Sequence, residues 1–172
     1  MKRLLIAAVT FLLLCGCLGY PATVKPVNGF ELEKFLGRWY EIARFDHSFE
    51  RGLEAVTAEY SAREDGGVRV QNRGFSVETN EWKESIGKAY FVENENIGYL
   101  RVSFFGPFYG SYVIFELDKQ DYQYAFVTSS KQSYVWFLSR SPTVSKELKS
   151  HFKAVLREKG FDPNKLIWVN QK

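Results

Sequence analysis

Short apolar stretches alternate with turn signals at nearly regular intervals from residue 30 onward. The turn signals are clusters of glycine, proline, aspartate, asparagine and other polar residues at 51–52, 64–67, 79–80, 93–96, 106–110, 118–121 and 129–132. These seven breaks delimit eight segments, several of which alternate apolar and polar side chains with the period of two that is typical of half-buried β-strands. Eight consecutive strands with short connections predict an antiparallel up-and-down meander, and closing it into a barrel would remove its exposed edges.

The eighth segment, SYVWFLSR at residues 133–140, differs from the others because it is apolar on both faces. In the segment at residues 99–105, by contrast, the polar side chains of Arg101 and Ser103 share one face. The eighth strand should therefore be covered on the outside of the barrel as well as on the inside.

A cover for that strand is available near the C-terminus. Ser145 is a candidate helix N-cap and Gly160 a candidate stop. Between them, apolar residues recur at i, i+4, i+7 and i+8, which is the spacing of one helical face: Leu148, Phe152, Val155 and Leu156. After a break at residues 162–164, the apolar run at residues 166–169 predicts a short final strand. The predicted fold class is all-β: an eight-stranded antiparallel up-and-down barrel with one C-terminal α-helix and a short final strand.

The interior of such a barrel allows two interpretations. Eight strands enclose just enough space for one small ligand. The alternative is a barrel or sandwich that is filled by its own side chains.

Residues 1–16 have the architecture of an export signal, with the basic pair Lys2-Arg3, an apolar run and then a small residue. A membrane-spanning helix needs about 20 apolar residues, but this run reaches only Leu18 and includes the polar Thr10. We therefore predict a signal peptide over residues 1–16.

The chain has two cysteines, Cys15 and Cys17, and both lie at the end of this segment. A disulfide between residues two apart is sterically awkward. A metal site would need further cysteine or histidine ligands, which His47 and His151 are poorly placed to supply. Attachment of a lipid is the third interpretation of the pair.

The sequence LCGC at residues 14–17 resembles the processing box of bacterial lipoproteins, in which cleavage follows a small residue and the next cysteine is acylated. The resemblance implies that Cys17 receives lipid and that Cys15 is discarded with the leader. Several acyl chains would anchor the protein durably to a membrane. An aspartate after the cysteine favours inner-membrane retention in proteobacterial lipoproteins, so Leu18 implies the outer membrane, with the domain facing the periplasm.

Residues 17–29 are then predicted to be a lipidated N-terminus and tether. The stretch contains Pro21 and Pro26 and has no periodicity. Such a linker would let the following domain, residues 30–172, stand off the bilayer.

The charge balance narrows the classes of partner. The net charge of +3 becomes +1 when Lys2 and Arg3 are removed with the leader. This leaves no broad electrostatic case for nucleic-acid binding. Two separated histidines, with no cysteine beyond Cys17, give no support to a metal site or a redox cofactor.

Three short signatures carry a resemblance to a known family. The segment GRWYEIAR at residues 37–44 resembles the G-x-W signature on the first strand of lipocalins. Asp121-Tyr122 resembles the T-D-Y signature at the seventh strand, although Gln120 replaces the usual threonine. Arg140 resembles the arginine of the third signature. Longer stretches, RWYEIARFDHSFERG, GKAYFVEN and VSFFGPFYG, are similar to the bacterial lipocalin lipoproteins in particular.

The resemblance implies structural roles for the signature residues Gly37, Trp39, Asp121, Tyr122 and Arg140. Trp39 can fill the narrow end of a barrel, and Arg140 can lie over its indole, where a cation–π contact would add about 0.5–2 kcal/mol. Gly37 permits a tight turn into the first strand. We expect these residues to close the base of the barrel rather than to bind a ligand.

The ligand-binding face follows from strand alternation. If Arg140 points to the closed base, residues of the same parity run up the interior toward the mouth. The candidate ligand-binding residues on such faces are Tyr60, Phe91, Val102, Phe104, Tyr112, Tyr134, Trp136 and Leu138. Ordinary core packing is the alternative role for each of these residues. The tyrosine hydroxyls would either meet a polar head group or bond one another. A bulge in a strand would exchange its two faces beyond that point.

Three functional hypotheses follow. The first is a membrane-tethered lipocalin that binds a fatty acid or lysophospholipid for storage or transport in cell-envelope maintenance. The second is a packed envelope scaffold or interaction protein without a lipid ligand. Catalysis is disfavoured, because Asp46, His47 and Ser48 are adjacent, and adjacent strand residues point to alternate faces and cannot align as a triad.

The loop between the fifth and sixth strands is unusually aromatic, with Phe105, Phe108 and Tyr109 in succession around Gly106-Pro107. Apolar side chains at a loop tip favour an interaction. The loop would cap the cavity, contact a membrane, pack against a second subunit in a homodimer, or pack onto the exterior of its own barrel.

Overall fold

The computed structural model describes residues 18–172. Eight strands follow one another: β1 Gly37–Phe45, β2 Leu53–Ala62, β3 Val68–Ser76, β4 Glu81–Phe91, β5 Tyr99–Phe105, β6 Phe108–Leu117, β7 Tyr124–Thr128 and β8 Val135–Ser139. A short helix that was not predicted, α1 (Leu32–Phe35), precedes them. Helix α2 (Lys146–Glu158), a 3₁₀ turn (Pro163–Lys165) and strand β9 (Leu166–Trp168) follow them. Each of the seven predicted breaks separates two of these strands.

The strands form one antiparallel sheet that closes on itself. Strands β2 to β8 pair in sequence order, β8 pairs with β1, and the first four residues of β1 pair with β2. Strand β9 pairs with the other end of β1, along residues 43–45. The predicted up-and-down barrel, its C-terminal helix and its short final strand are therefore confirmed.

The barrel has two different ends. One end, called the mouth below, is formed by the loops at residues 46–52, 77–80, 106–107 and 129–134. The other end, called the base, is formed by α1 and by the loops at residues 63–67, 92–98 and 118–123. Odd-numbered strands from β1 to β7 run from base to mouth, and even-numbered strands run back.

Helix α2 covers the outside of β7 and β8. Its N-cap is Ser145, whose hydroxyl accepts the N–H of Leu148 at 3.1 Å. Phe152 is fully buried, and its ring centre lies 4.5 Å from that of Phe126 and 4.8 Å from that of Phe137. This second apolar layer explains why β8 is apolar on both faces.

The first described residues differ from the free tether that the sequence predicted. Residues 18–29, called the N-terminal strap below, lie along the outside of the barrel. Val24 is 1% exposed. Val27 makes two backbone hydrogen bonds to the barrel: its N–H donates to the carbonyl of Ile114, and its carbonyl accepts the N–H of Gly98, each at 2.9 Å. The side chains of Val24 and Val27 and the two backbone hydrogen bonds of Val27 dock the segment on the barrel, although the segment has no sequence periodicity.

The predicted signal peptide over residues 1–16 and the predicted lipidation at Cys17 lie outside the described residues. Within residues 18–172, none of the helices has the length and apolar character needed to cross a bilayer.

Candidate ligand-binding cavity

The base of the barrel is closed by Trp39 and Arg140. Trp39 is fully buried, and its indole N–H donates to the carbonyl of Phe35 at 2.8 Å. The guanidinium of Arg140 lies 4.0 Å from the centre of the indole ring, so the predicted cation–π contact is present. The same guanidinium donates to four backbone carbonyls, those of Lys34, Leu36, Arg38 and Tyr122. One side chain thus ties α1, β1 and the turn between β6 and β7 together.

Gly37 and Tyr122 complete this closure. Gly37 has a φ of +91°, a conformation that favours glycine, and a Cβ there would lie 3.5 Å from Nη1 of Arg140. Tyr122 is buried, and its hydroxyl accepts the N–H of Glu31 at 2.9 Å. Gly37 thus allows the turn into β1, and Tyr122 holds the backbone of Glu31 at the base.

Asp121 has a smaller part than the signature implied. Strand β7 begins at Tyr124, and Asp121 is exposed in the preceding turn. The carboxylate that organises this turn belongs to Asp118, which accepts the backbone N–H groups of Gln120, Asp121 and Gln123 at 3.2–3.4 Å. An aspartate at the end of β6 pulls these residues into a turn and delays the start of β7.

Above the base, the barrel encloses a cavity of about 800 Å³ that opens at the mouth. Seven of the eight candidate ligand-binding residues line it: Tyr60, Val102, Phe104, Tyr112, Tyr134, Trp136 and Leu138. Phe91 does not line the cavity, contrary to the prediction. It is the last residue of β4, at the base, where its ring centre lies 6.1 Å from that of Phe30. Its interior parity was right, but its height along the strand places it below the cavity.

A pair of hydroxyls marks the lower part of the cavity. Tyr60 on β2 and Tyr112 on β6 reach across the barrel, and their hydroxyl oxygens are 2.7 Å apart. Burial raises the pKa of Tyr60, an effect that its hydrogen bond to Tyr112 opposes. Burial also raises the pKa of Tyr112, and its interaction with Tyr60 adds to that rise. Both hydroxyls are therefore protonated at neutral pH and one donates to the other, which is one of the two predicted roles for these tyrosines.

Four ionisable side chains are buried together in the wall of the cavity: Glu41, Arg44, His47 and Glu50, called the wall cluster below. Arg44 donates to Glu41 Oε1 at 2.8 Å and to the carbonyl of Glu50 at 2.8 Å. His47 Nε2 lies 2.9 Å from Glu50 Oε2, an ion-pair distance without hydrogen-bond alignment. The indole N–H of Trp136 donates to that same carboxylate oxygen at 3.1 Å. The cluster thereby holds the ring of Trp136 against the cavity.

Strand alternation did not predict the wall cluster, because β1 contains a bulge. The register between β1 and β8 shifts within β1, so that Glu41 lies opposite Leu138 and Arg44 lies opposite Trp136. Strict alternation from Trp39 would turn Arg44 outward, whereas the bulge turns it inward. The sequence does carry a signal for the cluster, since Glu41 and Arg44 stand three positions apart in an otherwise apolar second half of β1, residues 41–45.

Burial and neighbouring side chains shift the pKa values of the two wall carboxyls. Burial raises the pKa of Glu41 well above its ordinary value, the charge of Glu50 adds to this rise, and Arg44 opposes it. Burial also acts to raise the pKa of Glu50. However, contacts with the imidazole of His47 and the indole of Trp136 outweigh burial, so the net pKa of Glu50 is lowered. The pKa values of the two wall carboxyls therefore depart from the ordinary glutamate value in opposite directions.

The side chains of Asp46, His47 and Ser48 do not converge into a hydrolase triad. Asp46 is exposed and accepts from Arg51 through both carboxylate oxygens, with a shortest distance of 2.6 Å. His47 turns inward to Glu50, and Ser48 is exposed. All three residues lie in the mouth loop at residues 46–52, beyond the end of β1, so strand alternation does not apply to them.

The rim of the mouth combines exposed aromatic rings with cations. Phe49, Phe105 and Phe108 are 59%, 81% and 70% exposed, respectively, and each borders the cavity. Two cationic residues, Lys83 and Lys131, lie along the same border. An apolar interior therefore opens through a rim of mixed character.

The aromatic loop divides into two parts. Tyr109 packs back onto the exterior of the barrel, where its ring centre lies 6.4 Å from that of Tyr90 and 5.1 Å from the guanidinium of Arg101. Phe105 and Phe108 face each other across the turn and remain largely exposed. Packing onto the exterior thus accounts for only one of the three aromatics.

Comparison with known proteins identifies the family. Residues 30–171 match the model of the lipocalin-like domain. The chain belongs to the lipocalin family. This lipocalin is 59% identical over 166 residues to the outer membrane lipoprotein Blc of Vibrio cholerae, with 94% of this chain and 97% of the relative covered. It is 49% identical to the outer membrane lipoprotein Blc of Escherichia coli K12, with 97% of this chain and 96% of the relative covered.

More distant lipocalins share the fold. Temperature-induced lipocalin-1 of Arabidopsis thaliana is 31% identical, over 83% of this chain and 80% of that protein. The structure of insecticyanin from Manduca sexta superimposes with a TM-score of 0.70 at 24% identity, over 89% of this chain and 87% of that one. Because these close relatives are outer membrane lipoproteins, the protein is a bacterial, lipid-anchored lipocalin of the outer membrane, as predicted.

Proposed function

We propose that this lipocalin binds a single-chain amphiphile, a fatty acid or a lysophospholipid, with the acyl chain in the cavity and the polar head at the mouth. The observation that carries the proposal is the cavity of about 800 Å³. Volumes of roughly 300–1,000 Å³ are typical of protein sites for small molecules. An extended chain that enters through the mouth would lie against Val102, Phe104 and Leu138.

The apolar lining supplies the affinity in this proposal. Transfer of one methylene group out of water contributes about 0.8 kcal/mol. A chain of about twelve methylenes would therefore contribute on the order of 10 kcal/mol before the cost of ordering the chain is subtracted. A single acyl chain is sufficient to account for tight binding.

The polar groups of the cavity favour a head group at the mouth. At the lower end, Tyr60 and Tyr112 already bond each other, which leaves only one of their two hydroxyl protons for a head group. At the rim, Lys83 and Lys131 border the opening. A carboxylate or phosphate is the natural partner of such cations, which fits a fatty acid or a lysophospholipid.

The proposed place of this binding is the periplasmic face of the outer membrane. A signal peptide over residues 1–16 and acylation of Cys17 would deliver and anchor the protein there. A protein tethered beside a bilayer and able to enclose one amphiphile would serve storage or transport in envelope maintenance. A scaffold packed solid by its own side chains fits the open cavity less well.

Titration with a fatty acid and with a lysophospholipid tests the proposal. The protein is first stripped of bound lipid, and tryptophan fluorescence is followed as ligand is added. Trp136 lines the cavity, so we expect saturable quenching that disappears in Trp136→Phe.

Trp82→Phe is the matched control, because Trp82 is exposed and stacks on Arg73 at 4.2 Å. This variant should retain the quenching. A protein that responds to neither lipid would contradict the proposal and favour the scaffold hypothesis.

A further inference from the structure

The exposed apolar side chains of this lipocalin are unevenly distributed. Five of the large ones lie on or beside the mouth loops: Phe49, Val77, Trp82, Phe105 and Phe108. Among the described residues, 18–172, none of the exposed large apolar side chains lies on the loops of the base. Exposed apolar patches of this kind mark interaction surfaces more often than chance.

The most exposed part of this surface is the tip of the hairpin between β5 and β6. Phe105 and Phe108 are register partners, so their rings project side by side. They are 81% and 70% exposed. Two adjacent phenylalanines that water surrounds form a small apolar wedge, called the aromatic tip below.

The N-terminal strap begins on the same hairpin. The N–H of Gly19 donates to the hydroxyl of Tyr99 at 2.7 Å, and the ring of Tyr20 packs edge-on against Tyr99 with centres 5.3 Å apart. The Tyr99 hydroxyl in turn lies 3.5 Å from Ser111 Oγ, three residues from Phe108 on β6. At about 3.4 Å per residue, the start of the strap is about 10 Å below the aromatic tip.

The length of chain available to a lipid anchor is short. A lipid on Cys17 would be attached two residues from Gly19, a span of at most about 7 Å. Ser111 is six residues from the base end of β6 at Leu117, which is about 20 Å. At full extension the anchor therefore comes to within about 3 Å of the level of the aromatic tip but stays about 13 Å short of the level of the base.

We propose that the aromatic tip inserts into the interface of the bilayer that holds the lipid anchor, so that the mouth opens toward this membrane. The docked strap, the short span to the anchor and the exposed rings all place the same side of the barrel against lipid. Leu18 and Tyr20, which are also exposed, extend the apolar surface from the tip down to the anchor. Aromatic side chains at the boundary between water and lipid are favoured because the ring is apolar and the boundary is partly wet.

If the protein binds an amphiphile, as proposed above, this orientation sets the route by which the ligand is exchanged. An amphiphile would pass between bilayer and cavity through the mouth without crossing the aqueous periplasm. The rim cations would meet its head group on the way.

Site-specific fluorescence on the full lipidated chain tests the orientation. An environment-sensitive label is placed at Phe105→Cys or Phe108→Cys, and at Glu64→Cys in the loop between β2 and β3 as the control at the base. The protein is held in vesicles of phosphatidylethanolamine and phosphatidylglycerol, with and without lipids that carry a quencher on the acyl chain. We expect a blue shift and quenching at 105 and 108, and neither effect at 64.

Three results would overturn the proposal. Equal quenching at 105 and 64, or quenching at 64 alone, would mean that the mouth does not face the bilayer. The emission of the label at 105 could also shift to the blue without being quenched by the lipid quencher. If that shift grew with the density of protein on the vesicles, a second copy of the chain would be covering the tip. The assay needs no bound amphiphile, so its failure is distinguishable from failure of the lipid titration.

Discussion

Arg140 at the base and Arg44 in the cavity wall are two arginines of one barrel with different partners. Arg140 donates to four backbone carbonyls and stacks on Trp39. Arg44 is 2% exposed and depends on the carboxylate of Glu41 as well as on backbone carbonyls. Carbonyls do not titrate, whereas carboxyls do. The base should therefore be insensitive to pH, and the wall should respond to it.

The difference follows from where each arginine lies. At the base, the end of α1 and the turn before β7 leave backbone carbonyls without ladder partners, and these can accept from a cation. In the wall, the carbonyls of regular strands are largely paired within the sheet. A cation buried there needs a carboxylate, and a second carboxylate nearby makes the cluster titratable.

Loss of the shared cation should have the largest effect. In Arg44→Met, Glu41 and Glu50 remain buried without their cation, and removing one partner of a buried pair costs about 3–5 kcal/mol. We expect a loss of that size in the free energy of unfolding at neutral pH, measured with denaturant.

Arg38→Met is the matched control for Arg44→Met. Arg38 lies on the same strand but pairs with Glu59 in an exposed ion pair, so its loss should change stability by less than about 1 kcal/mol. Equal effects of the two changes would contradict the role assigned to the wall cluster.

Replacement of the base cation should have the next largest effect. Arg140→Lys keeps the charge but cannot reproduce a planar donor group that serves four carbonyls. We expect a loss of about 2 kcal/mol. Unfolding measured at mildly acidic and at neutral pH should give the same loss, because backbone carbonyls do not titrate. A loss of stability that varies strongly with pH would contradict the expectation that the base, unlike the wall, is insensitive to pH.

The pH dependence of stability should change in Glu41→Gln. The pKa of Glu41 is raised, so the folded protein holds this proton more tightly than the unfolded chain. Stability is therefore lost as pH rises from the ordinary value of 4.5 toward the raised value. Glutamine does not titrate, and the variant should lack this part of the profile when the free energy of unfolding is measured against pH.

Glu50→Gln serves as the comparison for Glu41→Gln. The pKa of Glu50 is lowered, so its carboxylate contributes stability that is lost as pH falls below 4.5. This variant should lose that acidic limb and keep a fall above 4.5, since burial still acts on Glu41. Identical profiles for the wild type and both variants would show that the wall does not titrate.

The smallest expected effect concerns the hydroxyl pair of the lower cavity. Tyr60→Phe leaves the hydroxyl of Tyr112 without its partner and should cost about 1 kcal/mol. The double change, with Tyr112→Phe, should cost less than the sum of the single changes, because both polar groups are then absent. Strictly additive losses in a double-mutant cycle would mean that the two hydroxyls do not interact.

Features that depend on neighbours in the chain were predictable. Turn residues and alternation located the eight strands, and apolar spacing located α2 with its cap at Ser145. Alternation also identified seven residues that line the cavity, because parity alone decides which face of a strand a side chain occupies. The signature residues Trp39 and Arg140 were assigned to the base through family resemblance, and the structure places them in contact there.

Features that depend on position in three dimensions were not predictable in the same way. The height of Phe91 along the barrel axis placed it below the cavity although its parity was right. The strap was expected to be free because its prolines and glycines show no pattern, yet Val24 and Val27 meet an apolar wall that distant strands provide. The bulge in β1 turns Arg44 inward, and no pattern in the neighbouring sequence indicates a bulge at that point.

The sequence by itself determined the order of the elements, the family and the closed base of this protein, since local propensity, periodicity and short signatures encode them. Only the tertiary structure decided which charges meet in the cavity wall and where the strap lies relative to the mouth. The physical reason is that register shifts and docking are settled by contacts between segments far apart in the chain. The pairing of Glu50 with His47 and Trp136 and the position of Gly19 beside Tyr99 are such contacts.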